Sequence, residues 1–189
     1  MTDRTSERAT LSPLEGGATF PLRHRLTRML WTVIWALLAR WTPVPFNGWR
    51  CFLVRLFGGK IAAGAKIYPT VRIWYPANLE MGPHACLAPG VICYCMDRVV
   101  LGDYAIVSQG AHLCGGGHDI DNPAFPLVTG PIHIGRRAWI AAEAFVGPGV
   151  VVEDGAVLGA RGVATKRLLA NQVYVGNPAK PIRTRRNGV

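Results

Sequence analysis

The chain has 189 residues, of which half are hydrophobic and 17% are charged, so its composition predicts one folded domain and excludes global disorder. The formal net charge of +10 lies at the two ends, with nine Lys/Arg against three Asp/Glu in residues 1–60 and seven against none in residues 161–189. Residues 61–160 carry five against eight, which argues against a nucleic-acid-binding face on the main body.

The N-terminal third predicts two segments. Residues 1–20 are expected to be disordered, and residues 21–60 to form an apolar and basic helical segment. Residues 22–41 read LRHRLTRMLWTVIWALLARW, whose apolar core is shorter than the roughly 20 residues that span a bilayer. Arginine and tryptophan residues surround this core, so two roles stay open: capping the open end of the domain that follows, or lying in a membrane interface.

A six-residue repeat begins at Ile61. An aliphatic or small residue returns at every sixth position, with a slip of four near Met96–Val99 and an interruption after Leu113. The series is Ile61, Ile67, Ile73, Leu79, Ala85, Val91, Leu101, Val107, Leu113, Ile134, Ile140, Val146, Val152, Leu158 and Ala164. A period of six fits neither a helix nor the alternation of a strand, but it suits a short strand followed by a corner. The series therefore predicts a solenoid of three-sided coils over residues 61–170, with small residues such as Ala65 and Ala77 at the corners.

The repeat cannot be kept between Leu113 and Ile134, so residues 114–133 are predicted to leave the coil as an excursion loop. Three glycines precede His118 there, and glycine lets the backbone turn sharply and approach a ligand closely. Imidazole exchanges protons near neutral pH, so His118 is a candidate general base; the alternative is an exposed loop histidine without a role. Asp119 either orients the imidazole or stabilises the loop turn through nearby backbone, and we favour the turn.

Four stretches carry a resemblance to a known family. They are VSQGAHLC, HDIDNPAFPLV, PIHIGRRAWIAAEAFVGPGV and, upstream, PFNGWRCFLVRLFGGKI. Together they resemble the hexapeptide-repeat acyltransferases, in the branch of colanic-acid-biosynthesis acetyltransferases, which is related to the galactoside and maltose O-acetyltransferases. The resemblance covers residues 20–185 approximately. It implies an all-β solenoid, namely a left-handed parallel β-helix, with an N-terminal helical segment and a short basic C-terminal tail over residues 171–189.

The resemblance also implies an enzyme, an O-acetyltransferase that moves an acetyl group from acetyl-CoA directly to a sugar hydroxyl of an exopolysaccharide or capsule precursor. His118 is then the general base. The coenzyme contacts fall at Ala142, Ala160, Thr165, Lys166, Lys180 and Arg183. Their cationic members suit the phosphates of the coenzyme, which gives the basic C-terminus a purpose. Two departures from the family are Gly115–Gly117, where this branch commonly has Thr or Ser, and Ala142, where galactoside-type enzymes carry serine.

The partners implied by the resemblance are acetyl-CoA, a sugar or lipid-linked saccharide acceptor, and two further copies of the chain in a homotrimer. From the charge distribution and the cysteine spacing we expect no nucleic acid and no metal. The five cysteines are odd in number and the N-terminus lacks the apolar stretch of a signal peptide, so we expect a cytoplasmic protein. Peripheral contact with the inner face of the plasma membrane through residues 22–41 is the second of the two roles left open above.

Two alternative functions were weighed against acetyl transfer. Gamma-type carbonic anhydrases share the solenoid but need three zinc-binding histidines, for which only His84, His112 and His118 could serve, and the basic tail would then have no role. A non-catalytic scaffold needs the fold alone, and has no use for both the histidine loop and the Lys/Arg set. The cysteines lack a Cys-x-x-Cys pair, so they are expected to fill the coil interior rather than bind zinc.

Overall fold

The computed structural model describes residues 20–186, in which two helices are followed by a three-sided parallel β-helix. The disorder expected for residues 1–20 lies outside the described residues, except at Phe20, and so does the end of the predicted tail, residues 187–189. None of the helices within 20–186 is long and apolar enough to cross a membrane.

Each coil contributes one strand to each of three sheets, which we call faces A, B and C in the order in which the chain visits them. Face A contains β1 (Lys60–Ile61), β4 (Leu79–Met81), β7 (Val99–Leu101), β12 (Ile132–Ile134) and β15 (Val151–Val152). Face B contains β2 (Lys66–Ile67), β5 (Cys86–Leu87), β8 (Ile106–Val107), β13 (Trp139–Ile140), β16 (Val157–Leu158), β18 (Gln172–Val175) and β19 (Lys180–Thr184). Face C contains β3 (Arg72–Ile73), β6 (Ile92–Tyr94), β9 (His112–Cys114), β14 (Phe145–Val146) and β17 (Val163–Ala164). The predicted parallel β-helix with an N-terminal helical segment is confirmed as the fold class.

Two hairpins interrupt the parallel order. β10 (Gly116–His118) and β11 (Leu127–Thr129) pair antiparallel and project from the edge between faces C and A, which we call edge CA. The second hairpin joins β18, parallel to β16, to the antiparallel β19. Most of the predicted tail is therefore a hairpin that extends face B.

The coil register differs in detail from the sequence prediction. Ile61 lies opposite Met81, and Met81 opposite Leu101, so the first two coils are each 20 residues long. The sequence pattern predicted one insertion of four residues into the six-residue repeat, and this is wrong. The structure has two insertions of two residues, one in each of the first two coils, and both lie at edge CA. Leu79, Ala85 and Val91 are buried, but each lies two residues before the position that pairs with the first coil, namely Met81, Leu87 and Cys93, and Ala77 is exposed. Apolar residues two apart point into the same interior, so apolarity alone does not distinguish the two positions.

The helical segment consists of α1 (Leu22–Ile34), a π-helical turn (Trp35–Ala39), a 3-10 turn (Val44–Phe46) and α2 (Asn47–Leu56). A further 3-10 turn, Pro76–Asn78, lies at edge CA of the first coil. The helices lie across the first coil, and Trp31, Trp35, Leu53 and Val54 are buried in the same core as the coil residues. They cover the apolar interior that the first coil would otherwise expose.

The same helices also satisfy the backbone of the first coil, whose carbonyls have no preceding coil to pair with. Trp31 and Trp35 donate their indole N–H groups to the Ile73 and Val71 carbonyls, at 2.7 and 3.0 Å. Further donors are Arg50 to Ile67 O, Arg55 to Ile61 O and Asn47 to Ala65 O, at 2.7, 2.9 and 2.8 Å. An orphaned buried carbonyl is costly, so these side chains take over the hydrogen bonds of a missing coil.

Arg50 is the central member of this set and is only 1% exposed. Besides Ile67 O, its guanidinium donates to the Thr42 hydroxyl and to the Pro43 and Val44 carbonyls, all within 2.9 Å. Burial lowers the pKa of this side chain. Four oxygen acceptors, none of them a carboxylate, compensate for its lost hydration.

Candidate active site

His118 is the last residue of β10, at the start of the turn that leads back to β11. The predicted role of the three preceding glycines is only partly right, because none of them has a positive φ. A Cβ on Gly115 would lie 3.0 Å from the Tyr94 carbonyl, and one on Gly116 would overlap the Met96 sulfur. The first two glycines therefore let the root of the hairpin pack directly on the coil below.

The imidazole of His118 is held by Phe125 from across the turn. Its Nδ1 lies 3.0 Å from the Phe125 carbonyl oxygen, and the two rings stack with centroids 4.5 Å apart and an 8° angle between their planes. A carbonyl only accepts, so Nδ1 carries the proton and Nε2 of the neutral ring has a free lone pair. Within residues 20–186 no protein group bonds to Nε2, and the side chain is exposed.

The loop backbone is built to present that carbonyl. Phe125 has a φ of +46°, which non-glycine residues rarely adopt. Asn122 holds the turn, because its backbone carbonyl accepts the Phe125 N–H at 2.8 Å and its side-chain oxygen accepts the Ala124 N–H at 2.9 Å. Sequence reasoning missed both residues, although the pattern Asn-Pro-x-Phe-Pro indicates an asparagine-stabilised turn.

Asp119 belongs to the same turn. Its carboxylate accepts the Asp121 N–H at 3.1 Å, and its own N–H donates to the Pro126 carbonyl at 3.0 Å. The partner of the imidazole is the Phe125 carbonyl rather than this carboxylate.

The three histidines of the carbonic-anhydrase alternative are spread around the coil. His84 stacks on Tyr104 between faces A and B, and His112 lies on the outer side of face C between Tyr94 and Phe145. Burial lowers the pKa of His112. Across the described part of the chain, no three His, Cys, Asp or Glu side chains are grouped to hold a metal ion.

The six coenzyme positions fall into three places. Ala142 and Ala160 follow β13 and β16 at the edge between faces B and C, which we call edge BC, and the Arg161 N–H donates to the Ala142 carbonyl at 2.9 Å. Thr165 and Lys166 follow β17 at edge CA, two coils beyond the His118 hairpin. The other two cationic positions, Lys180 and Arg183, lie on β19.

All three of these cationic side chains are exposed. In the described region, none of Lys166, Lys180 and Arg183 takes part in an ion pair. Among residues 20–186, the side chain of Arg183 makes one hydrogen bond, from Nη1 to the Thr184 carbonyl at 3.2 Å. They are therefore available to an anionic ligand.

One chain does not bring the whole predicted set together. Lys166 shares edge CA with His118, whereas Ala142 and Ala160 lie on edge BC, with face C between the two edges. Two shallow surface depressions lie on face A, one around Arg136 and one around Lys60, and neither is lined by any predicted site residue. Within one chain, the predicted site residues therefore lie in separate places.

Comparison with known proteins gives sequence matches that extend over most of the chain. No protein-family model matches the chain. The chain is 41% identical over 156 residues to WcaF of Escherichia coli (strain K12), which is named as a colanic acid biosynthesis acetyltransferase; the match covers 82% of this chain and 86% of WcaF.

Solved structures share the fold at lower identity. A hexapeptide-repeat acetyltransferase of Vibrio cholerae O1 biovar eltor, complexed with acetyl coenzyme A, aligns with a TM-score of 0.79 and 16% identity over 94% of this chain and all of the other. A galactoside acetyltransferase in complex with coenzyme A aligns with a TM-score of 0.74 and 21% identity over 88% and 84% of the two chains.

Proposed function

We propose that this chain, which belongs to the hexapeptide-repeat acyltransferases in the branch of colanic acid biosynthesis acetyltransferases, transfers acetyl groups from acetyl-CoA to a sugar hydroxyl of an exopolysaccharide or capsule precursor. The observation that carries the proposal is the state of His118, whose Nδ1 is bonded to the Phe125 carbonyl and whose Nε2 is free. An exposed imidazole held in this tautomer is prepared to accept a proton.

The reaction follows from that arrangement. Nε2 of His118 takes the proton of the acceptor hydroxyl as its oxygen attacks the thioester carbonyl, and the imidazolium keeps its Nδ1–H bond to Phe125 O. The tetrahedral intermediate then collapses, the carbon–sulfur bond breaks, and the proton passes to the leaving thiolate of coenzyme A. The acetyl group passes directly to the acceptor, with no acetyl-enzyme in between.

The coenzyme is proposed to bind along the last coils. Lys166, Lys180 and Arg183 are exposed cations without an ion pair in the described part of the chain, and they suit its phosphates. The small side chains of Ala142 and Ala160 leave edge BC open to the pantetheine arm. Because Ala142 has no hydroxyl, only its backbone could bond the coenzyme at that position.

The site is proposed to be shared between chains. His118 and Lys166 lie on edge CA and the alanine pair lies on edge BC, so edge CA of one copy must face edge BC of the next. Such a contact joins two different surfaces, and it closes into a ring if the rotation permits. A homotrimer is the ring we propose for this three-sided coil, acting in the cytoplasm.

The test is a screen of acetyl-CoA consumption against nucleotide sugars and lipid-linked oligosaccharides. With the accepted sugar, His118→Asn should lower kcat by about a hundredfold to ten-thousandfold and leave coenzyme binding unchanged. His84→Asn is the matched control, since His84 lies between faces A and B, and it should keep full activity. A His118→Asn protein within a few-fold of the unmodified enzyme would refute the role of the base. No turnover with any acceptor would favour a scaffold.

A further inference from the structure

The helix α1 and the turn that continues it have two apolar faces. One face carries Trp31 and Trp35 and is buried against the first coil. The opposite face carries residues spaced three or four apart, each between 49% and 68% exposed. They are Leu22, Leu26, Met29, Val33 and Leu37. At 3.6 residues per turn this spacing forms one continuous stripe, which the coil does not cover.

The second helix and the connecting turn extend this stripe. On α2 the residues Trp49, Phe52 and Leu56 are exposed, and the Trp49 indole donates to the Leu38 carbonyl at 2.8 Å, which joins the two helices. The connection adds Trp41, which is 80% exposed. The resulting N-terminal apolar surface consists of Leu22, Leu26, Met29, Leu30, Val33, Leu37, Leu38, Trp41, Val44, Phe46, Trp49, Phe52 and Leu56. A contiguous exposed apolar area of this kind marks an interaction site.

Among the described residues, the charges of the helical segment that carries this surface all have one sign. Residues 20–79 contain no Asp or Glu. On the α1 wheel Arg23 and Arg25 lie on either side of the stripe, and Arg40 follows it; all three are exposed. The region described contains no ion pair that involves any of them. The occupant of this surface should therefore be apolar and bear negative charge at its rim.

We propose that the N-terminal apolar surface docks on an anionic phospholipid bilayer, with α1 and α2 lying in the plane of the interface. Exposed leucine, tryptophan and phenylalanine side chains would enter the boundary of the acyl chains, while arginine side chains meet the lipid phosphates. A second copy of the same surface fits less well, because two acid-free arginine rims would face each other. Capping and docking thus use opposite faces of the same helices, and docking does not depend on the proposed acetyl transfer.

The test is co-sedimentation of the full chain with vesicles of phosphatidylcholine, with and without about 30% phosphatidylglycerol, at physiological salt. We expect binding to the anionic vesicles, and at least about fivefold weaker binding to the neutral ones, since each cationic group near an anionic surface contributes about that factor. Absence of binding to anionic vesicles, or equal binding to both, would overturn the proposal.

Two variants distinguish the apolar part from the charge. Met29→Gln/Val33→Thr removes apolar contact at nearly constant shape, and should weaken vesicle binding by at least about tenfold. Arg25→Glu should weaken it by at least about fivefold, whereas Arg136→Glu, the same charge change on an exposed residue of the β-helix, should not. All variants should keep the melting temperature. If the Met29/Val33 variant instead changed the oligomeric state and left vesicle binding intact, the surface would be a contact between copies and the proposal would be wrong.

Discussion

The two basic ends of the chain look alike in the sequence but use their cations in opposite ways. At the N-terminal end, Arg50 is 1% exposed and donates to four oxygen acceptors around the first coil. At the C-terminal end, Arg183 is exposed and makes one bond, to a neighbouring carbonyl. The first replaces a missing coil, and the second is free to meet a ligand.

The net charge of a segment does not indicate whether its cations stabilise the fold or bind a ligand. The hydrogen-bond acceptors around each cation indicate which of the two it does. A buried guanidinium is tolerable only when its donors are satisfied, so Arg50 stabilises the fold as long as its acceptors stay in place. An exposed cation with few partners adds little to stability and keeps its capacity for an anion. Substitutions at the two ends should therefore affect different measurements.

The largest effect on stability is expected at the buried cation. Arg50→Met keeps the length of the side chain but leaves the Ile67, Pro43 and Val44 carbonyls without their donor. We expect the free energy of unfolding to fall by about 3–5 kcal/mol, measured by urea denaturation. Arg25→Met, an exposed position on α1, is the control and should stay within about 0.5 kcal/mol of the unmodified protein. Equal stability of the two variants would contradict the capping account.

The next effect is expected at the C-terminal end of the chain, in the KM for acetyl-CoA instead of in stability. Arg183→Ala and Lys166→Ala should each raise the KM for acetyl-CoA by about tenfold or more, because a charge-assisted contact to phosphate is lost in ground and transition states alike. Steady-state kinetics should give unchanged kcat, and the melting temperature should not move. Arg136→Ala is the matched control. A variant that lost stability and kept its KM would show that its cation stabilises the fold, as Arg50 does, and does not bind the coenzyme.

The smallest effect is a pH dependence of the N-terminal helices. His24 lies among the rings of Phe20, Trp74 and Tyr75, and burial, followed by the charge of Arg28, lowers its pKa. The unfolded chain therefore binds a proton more readily than the folded one, so stability is lost as pH falls through the ordinary range of histidine and is retained above it. Melting temperatures at pH 8 and pH 5.5 should differ more for the unmodified protein than for His24→Gln. An identical pH dependence of the two proteins would show that His24 does not cause the loss of stability at low pH.

Much of the fold could be predicted from the sequence, because the apolar residues that return about every six positions are those buried inside the coil. The repeat predicted the three-sided coils, and its break after Leu113 falls where the chain leaves them for the β10–β11 hairpin. The predicted register was two residues off at Leu79 and Ala85, because buried apolar residues two apart point into the same interior and differ only in geometry.

The candidate site was less accessible to sequence reasoning. The break in the repeat drew attention to His118, but the partner of its imidazole is a backbone carbonyl. Every residue has such a carbonyl, so the residue type does not indicate which one is used. The cap was hidden for a similar reason, since Arg50 and Trp31 bond to carbonyls that are orphaned only because the coil begins there. Contacts made through the backbone depend on topology, and a list of residue types does not contain topology.

The most direct test of the shared site is complementation between two inactive variants. His118→Ala removes the proposed base from edge CA, and Ala160→Trp blocks the proposed coenzyme slot at edge BC, so each homogeneous protein should be inactive. In oligomers formed from an equal mixture of the two chains, about a quarter of the interfaces should combine an intact His118 with an intact Ala160. The account predicts recovery of about that fraction of acetyl transfer. Activity no higher than that of the His118→Ala protein alone would contradict a site built from two chains.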